Sequence, residues 1–391
     1  MTASPKPRHV VVIGAGIFGI SSALHLARLG LDVTLVNDGA PANGASGRSL
    51  SWLNSARRAD TAYHRLRLAG IDRYRTLAAT RPETGSWLRF DGGLTWDADD
   101  ETNQIASVCQ LEQDIGYDAL LLGPAEVGAV VPGVNASAIT PQGAIFNPGE
   151  GWVDLPSLIS LLLNEFRSRG GKFVRDAGRV RIDATGGRAR GVVTADGVPV
   201  KADAVVLAVG PATPIMLAEI GVRVPDATPI SLLLKTKPIK TELRAVLNTP
   251  RVAVRPTPDG ALVLDSAWSE EEVVVNSDGT YTVHDKTVKG LLEEASAVLE
   301  GNPRLQLAAY AVGPKPIPGD GEPVLGCVET VAELHVAFSH SGATLGLIVG
   351  ELLAKEIASG NPHPMLATFR PNRFGARPNC PDGSRAWGRA A

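Results

Sequence analysis

The strongest constraint on the fold is a glycine-rich turn near the start of the 391-residue chain. A run of mostly β-branched residues, His9–Ile13, precedes the turn and is typical of a short buried parallel strand. The turn, Gly14–Gly19, has the spacing GxGxxG, and an amphipathic helix pattern follows it as far as Gly30. Asp32–Val36 then indicates a second strand. This order of elements within about thirty residues is typical of a dinucleotide-binding βαβ unit.

In such a unit, each glycine of the turn is needed for a different physical reason. Gly14 allows the tight turn, Gly16 lets the backbone approach a pyrophosphate, and Gly19 lets helix and strand pack closely. The N-terminus of the helix then faces the phosphates with unpaired N–H groups. The alternative is a glycine-rich turn with a purely structural role. The candidate cofactor residues here are Gly14, Ala15, Gly16, Ile17, Phe18 and Gly19.

The end of the second strand is the expected place for an acidic residue that holds a ribose diol. This chain has Asn37 there, with Asp38 next. An amide can accept one hydroxyl hydrogen bond and donate another, but it lacks the stronger charge-assisted bonds of a carboxylate. Both residues are candidates for the ribose contact. The alternative is that they are turn residues before Gly39 and Pro41.

A small, polar segment at residues 43–52 favours FAD over NAD. An NAD enzyme has no need of this segment in its first βαβ unit, whereas a longer cofactor has more pyrophosphate and a large ring to line. The candidate FAD-binding residues of the segment are Ala45, Ser46, Gly47, Arg48, Ser49 and Leu50.

Composition and charge narrow the class of protein. Hydrophobic residues make up 44% and charged residues 20% of the chain, which excludes wholesale disorder. The net charge of −3 gives no global argument for a nucleic-acid binder. The cysteines Cys109, Cys327 and Cys380 are far apart and form no CxxC pair. We therefore expect a reducing compartment, no metal site and no disulfide framework.

The N-terminus superficially resembles a secretion signal. Lys6, Arg8 and His9 precede an apolar run at residues 10–20, but three glycines interrupt that run and no small-residue cleavage site follows. No apolar run reaches the ~18–20 residues that a membrane helix needs. We therefore expect a cytoplasmic protein without a membrane span, and secretion is the alternative.

Several segments, in order along the chain, resemble the FAD-dependent D-amino acid oxidase superfamily, which includes glycine oxidase and monomeric sarcosine oxidase. They span residues 9–374, whereas residues 215–310 match only loosely. The similar segments are VVVIGAGIFGISSALHLARLGLDVTLVNDG, GEGWVDLPSLISLLLNEFRSRGGKF, ADAVVLAVGPATPIMLAEIG, VGPKPIPGDGEPVLG, HVAFSHSGATLGLIVGELLAKEIASG and FRPNRF.

The resemblance implies an α/β protein. Taken over its whole length, the chain would be classed as α+β. A doubly wound Rossmann-like domain would bind FAD as in glutathione reductase, and a substrate domain would have a mixed or antiparallel sheet. The clearest part of that sheet is a hairpin at residues 252–265. The domains would be discontinuous: residues 1–80, 150–215 and 310–374 for FAD, residues 81–149 and 216–309 for substrate, and a flexible tail at 375–391 with Arg377, Arg385 and Arg389.

Two later strands fit this FAD domain. Residues 204–209 are fully apolar and predict a strand that is buried on both faces. Residues 335–338 predict another strand, which leads into a helix at roughly 345–357. The N-terminus of that helix would favour negative charge on the reduced flavin. The resemblance adds as cofactor contacts Arg179, Val180, Ala208, Gly210, Gly313, His340, Ser341, Gly342, Ala343, Thr344 and Leu345.

The family's reaction is hydride transfer to flavin N5 from a carbon bearing an amine, which gives an imine. The resemblance places His340 beside the flavin, and a structural histidine at a helix start is the alternative. It places Lys315 over the substrate side of the flavin, so that Lys315 and His340 are the candidate catalytic residues. The candidate substrate residues are Trp52, Arg57 and Lys315.

The chain departs from the family pattern at three places. Lys315 stands where these amino-acid oxidases commonly hold the substrate carboxylate with an arginine, and a lysine lacks the bidentate fork. Val263 stands where the sarcosine-oxidase branch has an oxygen-activating lysine. Cys327 lies beyond the position of the family's covalent tether, and the early loop has no histidine. We therefore expect non-covalent FAD, with oxygen or another molecule as electron acceptor.

Two other functions stay open at this point. The missing arginine favours a flavin oxidoreductase that acts on a sugar, an alcohol or an alkaloid-like amine. A non-catalytic flavoprotein that senses a ligand or serves as a subunit is less favoured. The partner is in each case a small molecule rather than a nucleic acid. If Lys315 is not the substrate cation, Arg57 and Arg255 are the next to test.

Overall fold

A computed structural model describes residues 9–375 of the chain. The predicted basic tail with Arg377, Arg385 and Arg389 lies outside the described residues. The described chain divides into two compact units. The first unit contains residues 9–47, 155–229 and 314–375, and the second contains residues 48–154 and 230–313.

The described chain contains both strands and helices. The strands are β1 His9–Ile13, β2 Asp32–Val36, β3 Trp52–Leu53, β4 Leu88–Arg89, β5 Gly93–Thr95, β6 Leu120–Leu122, β7 Ala144–Asn147, β8 Gly151–Val153, β9 Lys172–Val174, β10 Arg181–Thr185, β11 Arg188–Val193, β12 Pro199–Lys201, β13 Ala204–Leu207, β14 Ile230–Thr236, β15 Val246–Asn248, β16 Ala253–Pro256, β17 Leu262–Asp265, β18 Val274–Val275, β19 Tyr281–Thr282, β20 Leu307–Pro314, β21 Val324–Cys327 and β22 Leu334–Phe338.

The α-helices are α1 Ile17–Arg28, α2 Ala62–Thr80, α3 Ile105–Asp114, α4 Pro124–Val130, α5 Leu155–Ser168, α6 Thr213–Ala218, α7 Ala267–Glu271, α8 Asp285–Ala297 and α9 Gly342–Ser359. Within residues 9–375, no helix combines the length and the hydropathy that a membrane crossing requires.

The first unit is built on a six-stranded sheet with the order β21-β22-β13-β1-β2-β9. Neighbouring strands from β22 to β9 are parallel, and only β21 runs antiparallel to its neighbour. The chain builds the sheet outward from β1 on both sides, which confirms the predicted doubly wound topology. A small antiparallel sheet, β10-β11-β12, completes the strands of this unit.

The apolar pattern of the first βαβ unit explains its position in the core. Val10, Val11 and Val12 of β1 are fully buried, as a strand covered on both faces must be. Leu24 of α1 is fully buried, which contributes roughly 1.5–3 kcal/mol. Gly350 of α9 lies against α1, where a Cβ atom would come within 2.2 Å of Ser21 Oγ. The two helices therefore pack at close range.

Two predicted element boundaries in the first unit differ from the structure. Strand β13 ends at Leu207, two residues early, because a 3₁₀ turn follows in which Gly210 has a φ of +56°. Helix α9 begins at Gly342, about three residues before the predicted start, with Ser341 as its N-cap. Residues 342–344 are small, and the apolar pattern that predicted the helix begins only after them.

The second unit contains an eight-stranded sheet with the order β20-β14-β17-β16-β15-β5-β7-β6. Strands β15 and β5 pair in parallel, whereas the pairs β14–β17, β16–β17, β15–β16, β5–β7 and β6–β7 are antiparallel, so the sheet is mixed. The predicted hairpin is confirmed as β16 and β17, with Gly260 at a φ of +77° in its turn. A three-stranded sheet, β3-β8-β4, also belongs to this unit.

Candidate functional site

The glycine turn of the first unit contains two glycines that its own packing requires. Gly14 has a φ of +101°, and a Cβ atom there would lie 2.4 Å from the Ala208 carbonyl oxygen. A Cβ atom on Gly19 would lie 1.7 Å from the Gly14 carbonyl oxygen. At Gly16, by contrast, a Cβ atom would meet only the Ser46 hydroxyl, at 3.2 Å. Glycine at position 16 therefore points to close approach by a ligand, and the turn fits a pyrophosphate.

Ser46 connects the predicted FAD loop to the start of α1. Its hydroxyl accepts a hydrogen bond from the Ile17 N–H at 3.1 Å, and residues Ala45–Gly47 form a 3₁₀ turn. The first amides of a helix have no partner inside the helix, and the first turn of α1 contains no acidic side chain. The N-terminus of α1 therefore favours the binding of an anion.

Asn37 shapes the glycine turn through all three polar positions of its amide. Its Oδ1 accepts a hydrogen bond from the Ala15 N–H at 2.7 Å, and its Nδ2 donates to the carbonyl oxygens of Gly39 and Ala40, both at 3.0 Å. A carboxylate here would face two carbonyl oxygens, which explains an amide at this position. Both amide protons are thus engaged by the backbone, while the Asp38 side chain is exposed.

The N-terminus of α9 meets the glycine turn. A Cβ atom on Gly342 would lie 3.6 Å from Ile17 Cγ2 and 3.9 Å from Phe18 Cε2. The first turn of α9 also contains no acidic residue. His340 is exposed, and its carbonyl oxygen accepts a hydrogen bond from the Gly342 N–H at 2.9 Å. Two helix N-termini thus converge here, with the residues Gly14, Ala15, Gly16, Ile17, Phe18, Gly19, Ser46, Ala208, Ser341, Gly342, Ala343, Thr344 and Leu345 around them.

Three other predicted residues of the first unit have the following environments. Arg179 is exposed and pairs with Glu219. Val180 is buried in the core formed around β1, β13 and β22. Lys315 is partly exposed, and its backbone N–H donates to the Pro229 carbonyl oxygen at 2.9 Å.

In the second unit, the predicted residues Arg48 and Gly313 lie against each other. A Cβ atom on Gly313 would come within 2.5 Å of Arg48 Nη2, so the arginine occupies the space that glycine leaves. Burial lowers the pKa of the Arg48 guanidinium. The Ser49 hydroxyl accepts a hydrogen bond from the Ser51 N–H at 3.0 Å, and Leu50 is partly exposed.

A buried polar network in the second unit holds the segment between Trp52 and Arg57. The Ser55 N–H donates to the Tyr117 hydroxyl oxygen at 2.9 Å, and that hydroxyl donates to Glu150 Oε1. Glu150 is fully buried, and burial raises the pKa of its carboxyl group to about 8. Sequence reasoning missed this network, whose members are distant along the chain.

Arg57 lies at the end of this segment with its charge already paired. Its backbone has a φ of +56°, and its N–H donates to Glu112 Oε1 at 2.6 Å. The Arg57 guanidinium forms an ion pair with Asp97. A substrate anion at Arg57 would therefore compete with an internal carboxylate.

Arg255, in β16, is a buried cation that sequence reasoning named only as a reserve candidate. It is 3% exposed, and its guanidinium carbon lies 5.3 Å from the centre of the Trp152 ring. Burial lowers the pKa of this guanidinium to about 10, so the group stays charged at neutral pH. The signal in the sequence is an arginine inside an apolar strand pattern.

Comparison with known proteins agrees with this geometry. A family model described as FAD dependent oxidoreductase matches residues 9–356. Sarcosine dehydrogenase of Mus musculus is 22% identical over 391 residues, which cover 95% of this chain but only 42% of that longer protein. Glycine oxidase of Pseudomonas aeruginosa is 27% identical over 367 residues, with 90% of this chain and 95% of that protein covered.

A solved structure supports the fold. The crystal structure of glycine oxidase from Geobacillus kaustophilus superposes with a TM-score of 0.78 at 20% identity and covers 95% of this chain and 100% of the other. The same fold and the family match over most of the chain lead to one conclusion. The chain belongs to the family of FAD-dependent oxidoreductases.

Proposed function

We propose that the protein oxidises a carbon–nitrogen bond by taking a hydride from a carbon that bears an amine, as in an amino acid or a secondary amine. The observation that carries the proposal is the glycine turn, where two helix N-termini converge beside a glycine that the protein's packing does not require. FAD, when bound, supplies the ring that accepts the hydride. The names of the similar glycine oxidase and sarcosine dehydrogenase support the amine donor.

The FAD domain is proposed to comprise roughly residues 1–80, 150–215 and 310–374, with residues 81–149 and 216–309 as the substrate domain. In this proposal the glycine turn and the start of α1 hold the pyrophosphate, and the start of α9 faces the flavin. His340 and Lys315 remain the proposed catalytic residues, with Trp52 and Arg57 toward the substrate. Oxygen or another molecule accepts the electrons, and the proposed compartment is the cytoplasm.

The proposed FAD is non-covalent. The early loop at residues 43–52 contains neither cysteine nor histidine. Cys327 lies in β21 with its sulfur 4.0 Å from Arg370 Nη1, and burial raises the pKa of its thiol. A raised pKa leaves less of the nucleophilic thiolate at neutral pH, which disfavours a thioether tether at this residue.

Two measurements on the purified protein test this function. Denaturation should release a yellow cofactor that chromatography identifies as FAD, whereas flavin that stays with the precipitated chain would contradict the non-covalent assignment. Anaerobic mixing with amines such as glycine, sarcosine and D-alanine should bleach the flavin absorbance. Simple alcohols and sugars are the matched negative controls. Bleaching by alcohols or sugars and by no amine would overturn the amine donor in favour of the alternative substrate class.

A further inference from the structure

The segment at residues 51–57 begins and ends at a residue whose backbone lies in the left-handed region. Ser51 has a φ of +57° and Arg57 has a φ of +56°, and neither residue is a glycine. A side chain makes this conformation unfavourable, so contacts from the surrounding structure must hold it in place. Strained backbone of this kind is concentrated at ligand sites and switches. We therefore expect the contacts that hold this segment to have a role beyond folding.

Buried side chains from two helices hold the backbone of the segment. Arg67 of α2 donates from Nε to the Asn54 carbonyl oxygen at 2.8 Å and from Nη2 to Asn54 Oδ1 at 2.5 Å. Glu112 of α3 is 1% exposed, and its Oε1 accepts a hydrogen bond from the Arg57 N–H at 2.6 Å. These two side chains thus hold the segment on either side of Ser55, which the buried polar network already binds.

Glu112 is the residue of this set whose presence folding explains least. Its Oε1 faces the Arg57 N–H, and its Oε2 accepts a hydrogen bond from Asn147 Nδ2 at 2.8 Å, so both donors are uncharged. Burying a carboxylate without a cation costs free energy that such bonds only partly offset. An apolar residue would suit the buried face of α3, which also contains Ile105 and Cys109. The hold on Arg57 therefore gives the acid its reason.

The segment contains two side chains that the proposed function places toward the substrate, Trp52 and Arg57, and the following inference rests on that function. We propose that Glu112 is a positioning residue, which keeps residues 51–57 in the substrate-binding conformation before the substrate arrives. A segment that is ordered in advance lowers the free energy that binding must supply. Without Glu112, only a fraction of the molecules would have this conformation, and the apparent affinity for substrate would fall by that fraction.

The kinetic test is anaerobic reduction of the FAD-loaded protein by glycine, sarcosine and D-alanine. In Glu112→Ala, the amine concentration that gives the half-maximal rate of flavin reduction should rise about ten-fold or more, as expected for the loss of a charge-assisted hydrogen bond. The limiting rate should change little. Glu112→Gln keeps an acceptor oxygen without the charge and should give an intermediate concentration. A purely structural role would instead lower FAD content or Tm and leave this concentration unchanged.

Asp114→Asn is the matched control, because Asp114 is an exposed acid on the same helix and accepts a hydrogen bond from Gln110. Its half-maximal amine concentration should equal that of the parent protein. FAD content and Tm show whether each variant is folded. The proposal is overturned if folded Glu112→Ala keeps the parent's concentration or, where only Glu112→Gln folds, if that variant keeps it.

Amide hydrogen exchange of the FAD-loaded protein tests the positioning without turnover. The Ser55 and Arg57 amides are hydrogen-bonded in the parent and should exchange slowly. In Glu112→Ala, peptides that cover residues 51–57 should exchange about ten-fold faster or more, the loss of the same hydrogen bond. Peptides from β16 and β17 of the same unit should be unchanged. Equally faster exchange throughout the unit would show that Glu112 only stabilises the fold, and would overturn the proposal.

The two measurements separate this inference from the proposed function. Faster exchange confined to residues 51–57, without bleaching of the parent flavin by any amine, would support the hold of Glu112 on the segment and contradict the amine reaction. Bleaching of the parent by an amine, with the same half-maximal concentration in folded Glu112→Ala, would support the reaction and overturn the positioning role.

Discussion

Gly16 is the residue at which cofactor binding can be separated from folding. Because a Cβ atom there would meet only the movable Ser46 hydroxyl, at 3.2 Å, the fold should accept Gly16→Ala with little loss of stability. The added methyl group would occupy the space where the backbone approaches the pyrophosphate. We expect FAD affinity to fall by about ten-fold or more, measured by titrating the apoprotein with FAD.

Gly44→Ala is the matched control for this prediction. Gly44 lies in the small polar segment at residues 43–52, and a Cβ atom there would meet nothing within 4 Å. The FAD affinity of the Gly44→Ala variant should equal that of the parent protein. A folded Gly16→Ala variant with unchanged affinity would show that this turn does not hold the cofactor.

At the scale of elements, local patterns predicted local structure well. The β1–α1–β2 unit is continuous in sequence, so its apolar periods and its glycines sufficed. The contacts that shape the second unit join distant residues, such as Ser55 with Glu150 and Arg255 with Trp152. No periodicity links such pairs, and only the folded chain shows that they are in contact. For the same reason, the sequence did not predict that backbone groups occupy the amide of Asn37.

The buried network of Ser55, Tyr117 and Glu150 leads to a prediction about how stability depends on pH. Glu150 has a pKa of about 8 in the folded protein because burial disfavours its charge, whereas an ordinary glutamate titrates near 4.5. Between these pH values the folded state keeps a proton that the unfolded chain releases, so the contribution of Glu150 to the free energy of unfolding falls as pH rises from about 4.5 to about 8. In Glu150→Gln this fall, on the order of a few kcal/mol, should disappear.

Denaturant unfolding of parent and variant at several pH values measures this slope. The exposed Glu101 supplies the control, because Glu101→Gln should leave the slope unchanged. A Glu150→Gln variant that keeps the parent's slope would show that Glu150 is ionised in the folded protein at neutral pH.

For the molecule as a whole, His335 should contribute to a loss of stability in acid. It is buried in β22 between strands β21 and β13, and burial lowers its pKa to about 4. Glu356 raises that pKa and Arg370 lowers it, both less than burial does. Between pH 6.5 and 4 the unfolded chain binds a proton at this histidine and the folded state does not, so the contribution of His335 to the free energy of unfolding falls as pH drops. A shift of this size corresponds to roughly 3 kcal/mol.

His335→Gln cannot take up this proton, so its stability should fall less than that of the parent between pH 6.5 and pH 4. The comparison uses denaturant unfolding of both proteins across this range. His284→Gln is the control, because His284 is exposed at the start of α8 and its replacement should leave the acid slope unchanged. An equal acid slope in His335→Gln and the parent would mean that the sheet opens to admit the proton, and that the six-stranded core is less rigid than its burial indicates.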